Sequence, residues 1–344
     1  MTADAESSQR AGAEVRAFHA RLPGYAPTPL TDLPALAAEL GVARVLVKDE
    51  SSRLGLPAFK ILGASWAIAR LLAERAGGSA PVGEIDLEAL RALVSSDPIT
   101  FVTATDGNHG RAVARMAALV GAGAEVFVPD VTDQVTVDLI AGEGAPVTRV
   151  AGEYDLAVRR AAERAAAIGA ALVQDTGWDG YTRVPGWIVA GYSTLLAEID
   201  DVVVPDLIVV PVGVGSLAQA VVDHYHGSPT RVLSVEPDSA DCLRRSLIAG
   251  QPVVVKTGFT AMAGLNCGTV SELAWPHLRD GISAAVAVSE AEASAAMRDL
   301  AALGVSSGPS GAATLGGVRQ LKLDALGLDR VATIVLLSTE AARA

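Results

Sequence analysis

One lysine stands inside a run of apolar and small residues, AFKILGAS at positions 58–65. The simplest interpretation is that Lys60 lays its methylenes on apolar surface while its ammonium reaches water. The alternative is that Lys60 is a nucleophile, because an amine withdrawn from water loses its proton more easily and can form a Schiff base with a carbonyl. This stretch alone favours the first interpretation, so other segments have to decide between them.

A glycine-rich turn between a predicted strand and a predicted helix is the second place where chemistry could occur. Its residues are Gly213, Val214, Gly215, Ser216 and Leu217. Backbone amides at the start of a helix carry partial positive charge and bind phosphate. The turn also fits the GxGxxA dinucleotide fingerprint, since Glu236 ends the next predicted strand at roughly the 20-residue spacing of an acidic ribose ligand. A single phosphate, an NAD-type dinucleotide and a turn without a ligand all stay open here.

Two further segments place polar, small and aromatic residues where predicted strands end. TATDGNHG covers residues 103–110, and QDTGWDGYT covers residues 174–182. The first exposes backbone N–H groups that suit a carboxylate, although Asp106 or Asn108 could simply cap a helix. The second places Asp175 directly beyond a predicted buried strand. Residue types alone leave both a binding turn and an ordinary helix cap open.

Composition limits the kinds of partner and cofactor. The 344 residues predict two domains, and the formal net charge of −12 argues against a general nucleic-acid or anionic-membrane surface. Two cysteines and five scattered histidines give little support for a metal site. Cys242 and Cys267 are expected to be reduced thiols, with a bridge between them left open. The polar start of the chain has no signal-peptide core, so a soluble cytoplasmic protein is expected.

Runs rich in valine and isoleucine alternate with helical patterns along most of the chain. Examples are TFVTATD followed by HGRAVARMAALVGA, and PDLIVVPVG followed by SLAQAVVDHYHG. Continuous apolar strands that alternate with helices are typical of parallel sheets covered on both faces. The sequence therefore predicts an α/β fold.

Taken in chain order, the unusual segments resemble those of the fold-type II pyridoxal-phosphate enzymes, the group of threonine dehydratase, cysteine synthase and the tryptophan synthase β-subunit. The segments RLGLPAFKILGAS, TATDGNHG, QDTGWDGYTRVPGWIVAGY, PVGVGSL, VEPDSADCL, MAGLNCG and GPSGAA are similar to those of the diaminopropionate ammonia-lyase family, in the same order. The resemblance runs from about Pro27 to Glu340. It implies two three-layer parallel-sheet domains of the tryptophan synthase β-subunit type. Residues 1–52 and 178–344 would form the larger, phosphate-binding domain, and residues 53–177 the smaller one that carries the lysine and the carboxylate-binding turn.

The resemblance assigns cofactor contacts to particular residues. Lys60 would hold pyridoxal phosphate, and the apolar setting would keep its amine reactive. The amides of residues 213–217 and the Ser216 hydroxyl would bind the phosphate, and Asn108 would hydrogen-bond the 3-hydroxyl of the ring. Ser338 would face the pyridine nitrogen and leave it unprotonated, which favours β-elimination over reactions that need a long-lived carbanion.

The resemblance also assigns substrate contacts. The proposed substrate-binding residues are Thr105, Asp106, Gly107, His109 and Tyr181, with the carboxylate in the 105–109 turn. Lys60 and Asp106 would take the α-proton from opposite faces, so that both D- and L-2,3-diaminopropionate could be converted to pyruvate and ammonia. Asp175 would orient the β-amine or assist proton transfer. His109 is expected to be a structural part of the turn rather than a base.

Rival functions follow from the same segments. A lyase resembling serine or threonine dehydratase, or a β-replacement synthase acting on another β-substituted amino acid, would need the same cofactor. An NAD-binding oxidoreductase is a distant alternative, because hydride transfer gives Lys60 and the TATDGNHG turn no role. The resemblance to this family implies a homodimer.

Overall fold

The computed structural model describes residues 3–78, 82–152 and 154–342. The helices in these residues are α1 (Ala3–His19), α2 (Pro34–Leu40), α3 (Lys60–Arg75), α4 (Leu87–Ser96), α5 (Asn108–Val120), α6 (Gln134–Ala141), α7 (Tyr154–Ile168), α8 (Arg183–Gly191), α9 (Ser193–Asp200), α10 (Ser216–His224), α11 (Cys242–Ala249), α12 (Trp275–Gly281), α13 (Glu290–Ala302) and α14 (Pro309–Gln320). The strands are β1 (Leu30–Asp32), β2 (Arg44–Asp49), β3 (Thr100–Ala104), β4 (Gly123–Pro129), β5 (Val147–Val150), β6 (Ala171–Leu172), β7 (Leu207–Pro211), β8 (Arg231–Pro237), β9 (Ala284–Val288) and β10 (Thr333–Ser338). Short 3-10 helices cover Arg53–Gly55, Val82–Glu84, Ala263–Leu265 and Leu323–Leu326.

The chain divides into two compact units, each built from two stretches of sequence. The first unit is Met1–Ala26 with Lys60–Thr194, and the second is Pro27–Phe59 with Leu195–Ala344. These limits differ from the predicted 52/53 and 177/178 boundaries. Helix α1 and helix α8 belong to the first unit because both pack against α3. Sequence periodicity does not reveal that packing.

The first unit contains a four-stranded parallel sheet in the order β5-β4-β3-β6. Alanines of α7 (Ala157, Ala161 and Ala165) lie one helical turn apart on one face and are buried against the apolar side chains of β3. Small residues on this face let the helix approach the sheet closely. Strands β3 and β6 are parallel neighbours and end at the same edge of the sheet. The polar segments that follow them therefore lie at that edge.

The second unit contains a six-stranded sheet in the order β1-β2-β10-β7-β8-β9. Only β1 among these strands is antiparallel to its neighbour, whereas the other four pairings are parallel. Buried aliphatic residues of β2, β7, β8 and β10 form one core with α13 and α14. The predicted α/β fold of parallel sheets is confirmed.

A buried ion cluster lies beside this second sheet. Nζ of Lys48 donates to Oε2 of Glu198 at 2.6 Å, and Nη1 of Arg53 donates to Oε1 of Glu198 at 2.7 Å. Arg53 also donates to both oxygens of Glu50, and Thr28 contributes its hydroxyl to the same carboxylate. The two cations and two carboxylates balance in charge, so their burial is compensated by mutual pairing and hydrogen bonds.

In the part of the chain that the structure describes, no helix combines the length and the apolar character needed to span a bilayer.

Candidate active site

Lys60 and Asp175 form an ion pair in the first unit. Lys60 is the first residue of α3, and its Nζ donates to Oδ2 of Asp175 at 2.7 Å. Only 20% of the lysine side chain and 7% of the aspartate side chain are exposed. Most of the Lys60 side chain is thus withdrawn from solvent, and the structure pairs it with Asp175, one of the predicted catalytic carboxylates.

The ionisation of Lys60 differs from the expectation. Burial by itself lowers the pKa of Lys60, but the adjacent Asp175 carboxylate, with smaller contributions from Tyr192 and Asp106, outweighs burial and raises it. Burial likewise favours the neutral form of Asp175, but the Lys60 ammonium holds the pKa of that carboxyl at about 2. Lys60 is therefore an ammonium in its pair with Asp175, and the expectation that the apolar setting keeps its amine reactive towards the cofactor stays a prediction.

The turn after β3 opens α5 with a row of backbone amides. The N-cap residue of α5 is Gly107, which has no side chain to accept a hydrogen bond from the first helical amides. The Thr105 hydroxyl accepts from the Gly107 amide at 2.9 Å, which keeps the turn tight. A Cβ at Gly110 would overlap the Thr105 side chain, so a larger residue would open the turn. The start of a 13-residue helix whose N-cap makes no side-chain bond suits an anionic group.

His109 contacts both the turn and the ion pair. Its Nε2 lies 2.8 Å from the carbonyl oxygen of Val173, and its Nδ1 lies 3.9 Å from Oδ2 of Asp175. Burial lowers the pKa of His109, Asp175 raises it, and Lys60 lowers it further, with a net decrease. The ring is anchored as expected for a structural residue, but it also faces a predicted catalytic carboxylate.

Gln174 and Tyr181 hold the segment that carries Asp175. The side-chain oxygen of Gln174 accepts from the Ala104 amide at 2.9 Å, which ties this segment to β3. The Tyr181 hydroxyl donates to the Leu172 carbonyl at 2.9 Å and accepts from the Gln174 amide at 3.0 Å. These bonds give Tyr181 a structural task. Its predicted contact with the substrate stays a prediction.

Tyr192 is a further residue beside Lys60, and the sequence reasoning did not single it out. It is fully buried, and its hydroxyl interacts electrostatically with both Lys60 and Asp175. Burial raises the pKa of Tyr192, whereas Lys60 lowers it in part, and the net change is an increase. Tyr192 therefore stays a neutral phenol next to the ammonium.

Two glycines allow Tyr192 to reach this position. A Cβ at Gly63 would lie 2.7 Å from Cε1 of Tyr192, and a Cβ at Gly191 would lie 2.6 Å from the Leu62 carbonyl oxygen. Helices α3 and α8 consequently approach backbone to backbone. Gly63 lies three residues after Lys60 on the same side of α3, so the tyrosine ring occupies the space beside the lysine.

The second unit contains the predicted phosphate turn. Gly215 is the N-cap of α10 and has a φ of +101°, a conformation that favours glycine. A Cβ at Gly215 would lie 2.7 Å from Cδ1 of Leu278, and one at Gly213 would lie 2.8 Å from the Gly264 carbonyl oxygen. Ser216 follows as the first residue of α10. The N-cap of α10 has no side-chain cap bond, and the start of a helix that lacks one is suited to a phosphate.

Ser338 ends β10 in the second unit and is buried. Its hydroxyl donates to the Ser307 hydroxyl at 2.8 Å. Helix α14 packs closely against this strand end, since a Cβ at Gly311 would lie 2.7 Å from the Thr339 amide nitrogen. The position is therefore held by a pair of neutral hydroxyl groups.

Residues 21–340 match the model of a protein family described as pyridoxal-phosphate dependent enzyme. The chain belongs to this family. It is 38% identical over 97% of its length to a diaminopropionate ammonia-lyase of Escherichia coli strain K12, of which it covers 89%. A crystal structure of diaminopropionate ammonia lyase from Escherichia coli in complex with D-serine is similar with a TM-score of 0.89 and 36% identity, over 97% of this chain and 89% of that one. The biosynthetic L-threonine dehydratase of Escherichia coli strain K12 is 28% identical over 90% of this chain, which spans 56% of that protein.

The predicted fold-type II resemblance and the predicted cofactor are both confirmed. The chain is a pyridoxal-phosphate dependent enzyme, and its residues fit that cofactor. A mostly buried lysine can bond to the aldehyde. A Cβ at Gly213 or Gly215 would collide with neighbouring atoms, so the turn before the α10 amides keeps a backbone that glycine permits.

Glu236 explains why the dinucleotide fingerprint is misleading in this pyridoxal-phosphate enzyme. Its two carboxyl oxygens accept from the amides of Leu243 and Arg244, both at 2.7 Å, and the side chain is fully buried. Burial outweighs these donors and raises the pKa of Glu236 to about 8. The group caps α11 and does not present a carboxylate to a ribose.

Both cysteines of this pyridoxal-phosphate enzyme lie beside the glycine turn. Sγ of Cys242 lies 3.9 Å from the Gly213 carbonyl oxygen, and a Cβ at Gly213 would lie 3.2 Å from Sγ of Cys267. Within the described residues the two side chains are thiols and not a disulfide. Burial raises the pKa of Cys242, which makes its thiolate scarce at neutral pH.

Proposed function

We propose that this protein is an ammonia-lyase that converts D- and L-2,3-diaminopropionate to pyruvate and ammonia by α,β-elimination. The observation that carries the proposal is the presence of two carboxylates, Asp106 and Asp175, around one lysine in the first unit. The basic β-amine of diaminopropionate can pair and exchange a proton with carboxyl groups, whereas the hydroxyl of serine or threonine forms no ion pair with them. The 38% identity to a diaminopropionate ammonia-lyase supports the same substrate.

The proposal gives each predicted cofactor residue a task. Lys60 would hold pyridoxal phosphate through its amine, and the cofactor would supply an electron sink for the α-carbon of an amino acid. The amides of residues 213–217 and the Ser216 hydroxyl bind the phosphate at the start of α10. Asn108, the first residue of α5, hydrogen-bonds the 3-hydroxyl of the ring. Ser338 presents a neutral hydroxyl to the ring nitrogen.

The proposed substrate site uses the start of α5. The substrate carboxylate binds at residues 105–109, because the start of α5 favours an anion and its N-cap, Gly107, supplies no side-chain acceptor. Lys60 removes the α-proton on one face, and Asp106 removes it from the opposite enantiomer on the other. Asp175 faces the β-amine and exchanges a proton with it.

A substrate panel tests this function. The purified holoenzyme is supplied with D- and L-diaminopropionate, serine and threonine, and pyruvate or 2-oxobutyrate release is measured. Higher kcat/KM for either diaminopropionate enantiomer than for serine or threonine supports the proposal. A preference for serine or threonine would instead make the protein a dehydratase. Lys60→Ala should abolish both turnover and the visible absorbance band of the bound cofactor.

The role of Asp106 has its own test. Asp106→Asn should lower kcat for the D enantiomer by on the order of 100-fold and affect the L enantiomer far less. Asp179→Asn is the matched control, because Asp179 is exposed on the loop that follows Asp175. An equal loss for both enantiomers would remove the stereochemical role of Asp106.

The proposal extends to a cytoplasmic homodimer that binds neither nucleic acid nor membranes. The family resemblance suggests the dimer, and the net charge of −12 disfavours polyanionic partners. Light scattering on the purified protein measures the mass of the assembly. A mass other than twice that of the chain contradicts the homodimer.

A further inference from the structure

The hydrogen-bonding geometry of His109 determines which ring nitrogen carries its hydrogen. Nε2 lies 2.8 Å from the Val173 carbonyl oxygen, which can only accept, so Nε2 is the donor. In the neutral ring Nδ1 is then a lone-pair acceptor. This Nδ1 is buried and has no hydrogen-bond partner among the described residues. It faces Oδ2 of Asp175, also an acceptor, at 3.9 Å.

At 3.9 Å the two buried acceptors are about 1 Å too far apart for a hydrogen bond, and a proton on either atom would draw the two side chains together. In the cofactor-free protein the Lys60 ammonium donates to the same Oδ2 and balances the Asp175 charge. Lys60 cannot attack an aldehyde as an ammonium, so the balancing charge has to leave its nitrogen during cofactor loading. Asp175, which is 5% exposed, would then be a buried carboxylate that accepts from the Gln174 side-chain amide at Oδ1 and faces Nδ1 of His109 from Oδ2.

We propose that His109 is a positioning residue that holds a proton with Asp175, between Nδ1 and Oδ2, whenever Lys60 is not an ammonium. This inference rests on the proposed function, because the held proton is the one that the leaving β-amine takes. The Nζ–H bond of Lys60 breaks, its electron pair stays on nitrogen, and the proton moves to Oδ2 of Asp175, shared with Nδ1 of His109. When the carbon–nitrogen bond of a neutral β-amine breaks, its electron pair leaves with nitrogen, which takes this proton and departs as ammonia.

The other titratable groups around this pair agree with the proposal. Asp106 acts on Lys60 from the turn after β3, while Tyr181 and Tyr192 act on Asp175 from the 174–182 segment and the end of α8. Burial raises the pKa of both tyrosines, so they stay neutral and do not replace the lost ammonium. Lys60 lowers the pKa of His109 and Asp175 raises it. Removing the lysine charge therefore leaves the carboxylate free to raise the His109 pKa.

The first test observes the ring of His109 without any turnover. Cofactor-free protein labelled with ¹⁵N-histidine is titrated by NMR as wild type, Lys60→Met and Lys60→Met/Asp175→Asn. The expected result is that Lys60→Met raises the His109 pKa by at least about one unit, a tenfold change in proton affinity, and that the double variant reverses this rise. Lys256→Met, which removes a lysine in the second unit, should leave the titration unchanged. An unchanged His109 in Lys60→Met overturns the proposal.

The second test separates proton supply from a purely structural role. His109→Gln keeps a donor for the Val173 carbonyl but has no Nδ1. It should lower kcat for diaminopropionate by on the order of 100-fold and spare β-chloroalanine, because departing chloride needs no proton. Equal losses for both substrates would make His109 structural only. If the wild type eliminates no amine at all, the proposed function fails while the NMR result still stands or falls by itself.

Discussion

Oδ2 of Asp175 lies 2.7 Å from Nζ of Lys60, and this contact reverses the effect that burial alone would have on the lysine. A buried amine without a partner would be more easily deprotonated. The ion pair instead stores an ammonium and a carboxylate in the cofactor-free protein. Lys60 can react only after its ammonium loses a proton. Asp175, which stabilises that ammonium, therefore controls the reactivity of Lys60.

Replacing Asp175 should make Lys60 more reactive in the cofactor-free protein. Asp175→Asn removes the main group that raises the Lys60 pKa, while the burial that lowers it remains. The rate of reductive methylation of Lys60 at about pH 8, followed by mass spectrometry of its peptide, should rise by up to about tenfold for each pKa unit lost. Asp179→Asn on the same loop should not change the rate. A slower reaction in Asp175→Asn would show that the carboxylate does not hold the proton.

The close approach of α3 and α8 should be sensitive to one methyl group. Gly63→Ala places a Cβ 2.7 Å from Cγ2 of Ile188 and 2.8 Å from its carbonyl oxygen, so backbone has to move. This overpacking should cost about 1–3 kcal/mol of unfolding free energy. Gly186→Ala is the control in α8, because its Cβ would meet nothing within 4 Å. That variant should be unchanged or stabilised by up to about 1 kcal/mol. Equal melting temperatures for the two variants would contradict the tight crossing.

The sequence could predict features that depend on local patterns and not those that depend on distant partners. Lys60 and the 213–217 turn were predicted because an isolated lysine and a glycine-rich helix start are visible in a few residues. The ionisation of Lys60 was not, since the carboxylate that sets it is 115 residues away. The spacing of Glu236 fitted a ribose ligand, yet its oxygens face the α11 amides.

The domain boundaries and Tyr192 were missed for a related physical reason. Alternating strands and helices predict layers, but they do not say which helix packs on which sheet. Helix α1 joins the first unit through its packing on α3. Tyr192 reaches Lys60 only because Gly63 and Gly191 let two helices approach, a pairing that no sequence period displays.

The buried ion cluster of the second unit should make stability depend on acid. Arg53 and Lys48 hold the pKa of Glu198 at about 2, below the ordinary value of 4.5, although burial acts in the opposite direction. Stability from this carboxylate is therefore present above about pH 4.5 and is lost as the pH falls towards 2. Glu198→Gln should cost about 3–5 kcal/mol at neutral pH, because it leaves two buried cations with one remaining carboxylate, that of Glu50.

Chemical denaturation at several pH values measures this contribution. The difference between wild type and Glu198→Gln should shrink as the pH falls below about 4.5. Glu163→Gln is the control, since its ion pair with Arg160 is more than half exposed on both sides and should contribute less than about 1 kcal/mol. A difference in unfolding free energy that stays constant across the pH range would show that the cluster does not stabilise the ionised form of Glu198.

Glu236 should give the opposite pH dependence. Its folded-state pKa is about 8 because burial favours the neutral carboxyl, whereas the ordinary value is 4.5. Between these values the folded protein holds a proton that the unfolded chain has released, so stability falls as the pH rises from about 4.5 to 8 and is constant above that.

Glu236→Gln, which cannot ionise, should lack this fall, although it also loses one acceptor for the α11 amides. The decisive measurement is the slope of unfolding free energy against pH, with the exposed Glu272→Gln expected to keep the wild-type slope. If Glu236→Gln and wild type share one slope, the carboxyl of Glu236 ionises at its ordinary pKa and its burial is offset by the two amides of α11.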